Sequence, residues 1–146
     1  MIRGLARYVT TVDSSLPADE AFMYMADFAH ALEWDPSVED ARRTGEVGSG
    51  ASFDLVVRFG GRKIPMHYET ASFDPAGHRV VLQAENPRFV SRDTITVSPA
   101  ADGSSVHYDA ALELRGAARF LDPVLQLLFK RTGDKAEAGM RTALNP

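Results

Sequence analysis

The stretch Phe53-Asp-Leu-Val-Val-Arg-Phe-Gly60-Gly61-Arg-Lys-Ile-Pro-Met-His-Tyr68 reads as two strands joined by a two-residue turn. Adjacent glycines reach, without steric cost, the positive φ that a tight hairpin demands of both central residues. Folding about them sets Val57 opposite Ile64, Leu55 opposite Met66 and Phe53 opposite Tyr68. Side chains alternate across a strand, so those residues share one face, and a slip of one position would turn all of them outward. The other face carries His67 opposite Asp54, a solvated cross-strand pair. Turn chemistry and burial select the same register.

The period-two pattern continues on both sides of this hairpin. Strands are expected at 37–44, 51–59, 62–73, 78–85, 89–98 and 104–114, with a short β run at 6–12. The breaks at 45–50, 74–77, 86–87 and 99–103 supply the Gly, Pro, Asp and Asn that turns use. Within 78–85, Val80/Leu82/Ala84 and Val81/Gln83/Glu85 compete for the inner face.

Helices are expected at three places. Pro17 suits a first helical position, where a missing N–H has no partner to lose. Asp19 and Glu20 favour the positive end of that helix, and Phe22, Met25 and Ala26 form its apolar stripe with Tyr24 beside them. Asp27 caps a short second helix over 28–33, stopped by Trp34-Asp35-Pro36. At the far end, Asp122-Pro123 gives a cap and a first-turn proline. Leu121, Leu125, Leu128, Thr132, Ala136, Gly139, Met140 and Ala143 then recur at helical spacing. From 123 to 144 this helix is roughly 33 Å long at ~1.5 Å per residue, enough to lie across a sheet. The order β-α-α-β-β-β-β-β-β-α gives an α+β fold: a strongly curved antiparallel sheet around one long C-terminal helix. With no repeat or linker, residues 1–146 read as a single domain.

Composition narrows the function. The 146 residues are 45% hydrophobic and 25% charged, ordinary globular values that argue against disorder. A net charge of −4 lacks the basic surplus of a duplex-binding domain, so no nucleic-acid partner is expected. No apolar run approaches the roughly 20 residues of a membrane span. The N-terminus has no apolar core of signal-peptide length, and there is no cysteine, so a cytoplasmic protein of a reducing compartment is expected. Thirteen of the sixteen basic residues are Arg and twenty positions are Ala, a bias typical of a GC-rich bacterial genome.

Several motifs read more plainly as structure than as chemistry. Gly45-Glu-Val-Gly48-Ser-Gly50 has the wrong order for a dinucleotide loop and leads into a strand, so it is a turn. His30, His67, His78 and His107 include no pair at the helical spacing of a zinc site, and no metal or cofactor is implied. No nucleophile elbow appears. Two carboxylates stand out as candidate catalytic groups. Asp35 sits at the helix-to-strand junction, at the rim of any cavity. Asp93 shares an inward face with Ile95 and Val97, where a carboxylate must be paired or protonated. It is either a member of a structural ion pair or a cavity acid, and Arg92, on the opposite face, is not its partner.

The chain resembles the START-like (SRPBCC) superfamily, in its polyketide cyclase/dehydrase-like branch. The likeness rests on the 17–27 helix, the Phe28-Ala-His-Ala-Leu-Glu-Trp34-Asp35-Pro36 segment and Gly48-x-Gly50 before a strand. It continues through 68–75, Arg92-Asp93-Thr-Ile95 and the Leu121-Asp122-Pro123 helix start. The resemblance implies a helix-grip fold with an elongated apolar cavity between sheet and long helix. The superfamily hosts carriers, cyclases, receptors and chaperone activators, so activity must be argued from the site.

The inward residues supply that site. Trp34, Phe53, Leu55, Val57, Met66, Tyr68, Tyr108, Leu125 and Phe129, with Tyr24 nearby, are the expected ligand contacts, and the phenols of Tyr68 and Tyr108 are its polar handles. Read as bland structure, the same set is simply core. The first functional reading is a binding module for a hydrophobic or aromatic small molecule, lipid- or polyketide-like. The alternatives are a polyketide cyclase/dehydrase-like enzyme, using tyrosines, Asp35 or Asp93 for proton transfer, and a partner-protein-binding module.

Overall fold

The computed structural model describes residues 5–116 and 122–146. Its strands are β1 (Leu5–Ser14), β2 (Val38–Thr44), β3 (Ser52–Phe59), β4 (Arg62–Asp74), β5 (Arg79–Glu85), β6 (Phe89–Ala100) and β7 (Gly103–Leu114). They form one antiparallel sheet in the order β1-β7-β6-β5-β4-β3-β2. Between β1 and β2 lie helix α1 (Ala18–Ala26), a 3-10 turn (Phe28–His30) and the single-turn helix α2 (Ala31–Trp34). Helix α3 (Asp122–Ala143) follows the sheet. Strand ends differ from the sequence expectation by no more than two residues.

The hairpin register is the one the glycine pair dictates: Val57 opposite Ile64, Leu55 opposite Met66, Phe53 opposite Tyr68. Gly60 and Gly61 have φ of 61° and 78°, a turn strained for any residue bearing a Cβ. On the outer face His67 Nδ1 lies 2.8 Å from Asp54 Oδ1. Register shifts near Glu39 on β2 and Ala71 on β4 add bends to the curved sheet. Strand β1, whose neighbour the sequence leaves open, pairs with β7.

The choice on β5 follows from its partner. Val80, Leu82 and Ala84 pair with Ile95, Asp93 and Ser91 and are buried with them on the inner face. Gln83 and Glu85 point the other way, where Gln83 Nε2 donates to Glu85 Oε1.

Two helix boundaries differ from expectation. Pro17 is the extended residue before α1 (φ −56°, ψ 154°), not its first helical residue, and its carbonyl accepts from Ala21 N. The second helix splits, because the Asp27 side chain accepts from Ala29 N and tightens the first turn, and α2 runs on through Trp34. Asp27 also pairs with Arg43 of β2, tying this segment to the sheet. The expected cap at Asp122-Pro123 and the Leu121 position of the stripe lie outside the described residues and side chains.

Helix α3 packs on β1 and α2. Tyr8 donates to Asp134 Oδ1 at 2.7 Å, and Thr10 donates to Glu137. At the C-terminal end Ser14 Oγ donates to the Leu144 carbonyl and Asn145 Nδ2 to that of Asp13. Met140 and Leu144 insert into a core with Val12, Phe22, Met25, Val80, Leu82, Ile95 and Val106.

Candidate functional site

Two glycines set how α3 sits. A Cβ on Gly139 would lie 1.8 Å from the Trp34 carbonyl oxygen, and one on Gly133 would lie 2.5 Å from the Tyr8 ring. The helix therefore seats closely on α2 and β1. Toward the β3–β4 hairpin the curved sheet draws away, and Ala31, Ala110 and Ala136 are too small to fill the gap. A cavity of about 510 Å³ remains. Leu55, Val57, Ile64 and Met66 of the hairpin form one wall, and Leu125, Leu128, Phe129 and Met140 of α3 face them. Phe59, Gly60 and Arg62 at the hairpin tip and Val124 of α3 lie at the outer end, where Val124 is exposed.

The inner end is polar and enclosed by rings. Phe28 meets Tyr68 edge-on with centroids 4.9 Å apart, and Trp34 meets Tyr108 at 5.5 Å. Tyr108 Oη donates to Asp93 Oδ2 at 2.5 Å, while Tyr68 Oη and Ser91 Oγ share a bond of 2.9 Å. The backbone N–H and hydroxyl of Ser37 both donate to Asp35 Oδ1. The indole Nε1 of Trp34 is buried with no acceptor among the described residues.

Asp93 is 7% exposed. Among the described residues it has no cationic partner, so the ion-pair alternative gives way to a buried acid held by a phenol. Burial pushes its pKa up to about 7, reinforced by the charges of Asp35 and Asp109 and opposed by the bond from Tyr108. Burial likewise raises Asp35 above the usual carboxylate range, against the two bonds from Ser37. Tyr68 and Tyr108 are raised well above an ordinary phenol, by burial first and then by Asp93. The four acids share an apolar, poorly screened volume, where each disfavours charge on the others.

Trp34, Leu55, Val57, Met66, Tyr68, Tyr108, Leu125, Phe129, Asp35 and Asp93 come together around this one cavity. Two expected contacts do not. Tyr24 stacks on His30 at 4.4 Å and donates to Glu33 Oε1, because the outer side of α1 turns it away from the sheet. Phe53 is fully buried core, packed edge-on behind Phe28 and shielded from the void. Ser91 and Ser37 were not among the expected residues. Ser91 has the inward parity of Asp93 two positions away, the one signal that points to it. Among the described residues no group of three or more His, Asp or Glu is placed to hold a metal, and no helix is long and apolar enough to cross a membrane.

A family model described as "Polyketide cyclase / dehydrase and lipid transport" matches residues 6–145. The chain belongs to that family. Curated proteins give no match by sequence. Solved structures give the fold. The protein TTHA0849 from Thermus thermophilus superposes with a TM-score of 0.77 at 16% identity, covering 96% of each chain. The Zhui aromatase/cyclase from Streptomyces sp. R1128 superposes at 0.70 and 14%, covering 96% of this chain and 91% of that one. A START superfamily protein from Mycobacterium smegmatis gives 0.69 and 13%, covering 96% of both. The helix-grip architecture of this family is therefore that of the chain.

Leu125 tests whether the void is a genuine wall-lined space. It is buried yet borders the cavity, so truncation removes packing on one side only. Leu125→Ala is expected to cost about 2 kcal/mol, the low end for buried leucines. Urea unfolding measures it, and a loss near ~5 kcal/mol would mean a side chain packed on every side.

Proposed function

We propose that the chain binds an apolar small molecule, lipid- or polyketide-like, with its body between the hairpin and α3 and its polar end at the Asp93–Tyr108 and Tyr68–Ser91 pairs. The observation that carries this reading is the cavity of about 510 Å³, apolar along its walls and polar at one end. Its volume falls within the ~300–1,000 Å³ usual for small-ligand sites. Removing the ligand body from water supplies most of the affinity, at about 25 cal/mol per Å² of apolar surface. The polar pairs fix orientation.

Titrating an environment-sensitive dye, then displacing it with aromatics and fatty alcohols, tests the reading. Tyr68→Phe and Tyr108→Phe are expected to keep the fold and to weaken polar-tipped probes by about 0.5–1.5 kcal/mol, leaving hydrocarbons unaffected. A wild type that binds no apolar probe would put the partner-protein-binding reading in its place.

A second reading, a cyclase/dehydrase-like enzyme, draws on the Asp93–Tyr108 contact. An acid whose pKa is about 7 can both give and take a proton near neutrality, the condition for general acid–base work. In such a reaction Asp93 would deliver a proton to the oxygen of an enolate held against it and recover one from solvent through the open outer end. A burst of substrate turnover abolished in Asp93→Asn, with dye binding retained, would distinguish catalysis from carriage.

A further inference from the structure

We propose that the polar end of the ligand is a protonated amine, seated between the carboxyls of Asp93 and Asp35 and against the rings of Phe28, Trp34, Tyr68 and Tyr108. The inference rests on the binding reading above and specifies its ligand class. It follows from counting donors against acceptors at the inner end. The Tyr108 hydroxyl is already given to Asp93 Oδ2, and the Ser37 hydroxyl and N–H to Asp35 Oδ1. Ser91 Oγ and Tyr68 Oη share one bond, and with Ser91 as its donor the Tyr68 hydrogen goes to Met66 Sδ at 3.9 Å. The indole N–H of Trp34 is buried, not presented to the void. What remains is acceptor capacity. Asp93 Oδ1 and Asp35 Oδ2 have no partner among the described residues, and no Lys, Arg or His there pairs with either carboxyl.

An ammonium group brings three donors and no acceptor, which matches that surplus. It also brings the positive charge that two neighbouring carboxyls in an apolar volume otherwise lack. Flanking aromatic faces add cation–π attraction, strengthened where water is excluded. A carboxylate ligand meets the opposite conditions: its charge has the same sign as those of the two acids, and above pH about 7 Asp93 has lost the proton it could donate. An alcohol can use one acceptor but gains nothing from charge.

A matched series separates these cases. Decylamine, 1-decanol and decanoate share one apolar body and differ in the polar end. Trp34 is the only tryptophan and lies in the cavity wall, so its fluorescence reports binding, with calorimetry as a second readout. Salt near ~0.15 M screens attraction of the amine to the acidic surface. At pH 7.5 decylamine is expected to bind at least about tenfold tighter than 1-decanol, and decanoate weaker than both. Asp93→Asn should bring decylamine down to near the affinity of 1-decanol and change 1-decanol by a much smaller factor.

A second measurement needs no variant. Asp93 carries a proton below pH about 7; the groups acting on it, Asp35 after α2, Tyr68 from β4 and Tyr108 and Asp109 from β7, bring no cation to displace it, and Arg62 lines the cavity at its other end. At pH 6.5 binding of decylamine should therefore release a proton, seen as a buffer-dependent heat, while 1-decanol releases none. If 1-decanol binds as tightly as decylamine, or decanoate binds tightest, the amine assignment fails and the binding reading stands. If none of the three binds, both fail.

Discussion

Gly139→Ala is expected to destabilise the chain by about 3 kcal/mol or more and to lower its affinity for any cavity probe. The reason is the contact between α3 and the end of α2. The added methyl would lie 1.8 Å from the carbonyl oxygen of Trp34, 2.7 Å from its carbonyl carbon and 3.1 Å from its Cα. All three are backbone atoms, so no side chain can swing aside. Either α3 lifts from α2 or Trp34 shifts. Both movements reach the site, because Ala136 and Met140 on α3 and Trp34 itself border the cavity. In an exposed helix the same change would stabilise, since alanine is the better helix former by roughly 1 kcal/mol. The sign thus reports whether the close approach exists. Thermal unfolding followed by circular dichroism decides it, and a variant as stable as wild type would mean that α3 does not seat on α2.

The same glycine marks how far sequence spacing reaches. Gly139 falls on the apolar stripe of the last helix, but spacing alone does not reveal that a backbone lies against it. The hairpin is the opposite case. Gly60-Gly61 fixes turn type, and turn type fixes which residues face each other, so the register of β3 and β4 follows from local chemistry. Strand β5 has no such device. Val81 is as buried as its neighbours although it lies on the other face, and only pairing with β6 shows that Val80, Leu82 and Ala84 face inward.

The site divides along the same line. Alternation places Tyr68, Asp93 and Tyr108 on inner faces, a statement about single strands. That Tyr108 reaches Asp93, and Tyr68 reaches Ser91, depends on how β4, β6 and β7 are aligned across the sheet, which sequence spacing does not encode. Phe53 and Leu55 have identical parity, yet one packs behind Phe28 and the other borders the void. Depth along a strand relative to α1 and α2 decides between them. Tyr24 is misread for a related reason: a helix presents neighbours to different surroundings, and a polar partner at Glu33 draws its phenol outward.

Asp93 should make the folded chain less stable as pH rises from 5 to 8, and Asp93→Asn should remove that part of the dependence. In the native state its pKa is about 7. In the unfolded chain an aspartate titrates near ~3.9. Between those values the native state holds a proton that the unfolded state has lost, so stability falls as pH increases. The contribution of the protonated acid is complete below pH ~4 and gone above the native pKa. Over pH 5 to 8 the swing amounts to about 3 kcal/mol. Asp35 and His67, whose pKa values are also raised, act in the same direction, while Glu39, lowered by Arg58 and Lys63, and Asp134, lowered by Lys130 and Tyr8, act in the opposite one, chiefly below pH 5. His67, Glu39 and Asp134 are present in both proteins and cancel when wild type is compared with Asp93→Asn at each pH, whereas Asp35, coupled to Asp93, becomes easier to ionise in the variant and belongs to the same difference. The amide is nearly isosteric and its carbonyl still accepts from Tyr108, so the comparison isolates the charge. Urea unfolding at pH 5 and pH 8 should show the variant gaining about 3 kcal/mol on wild type between the two. Parallel profiles would place Asp93 in contact with water or a cation. The buried charge that weakens the fold above neutral pH is also the basis of the proposed preference of the inner end for a cation. A cationic ligand should accordingly restore most of the stability lost at pH 8, where a neutral one of the same length restores only what its own affinity supplies.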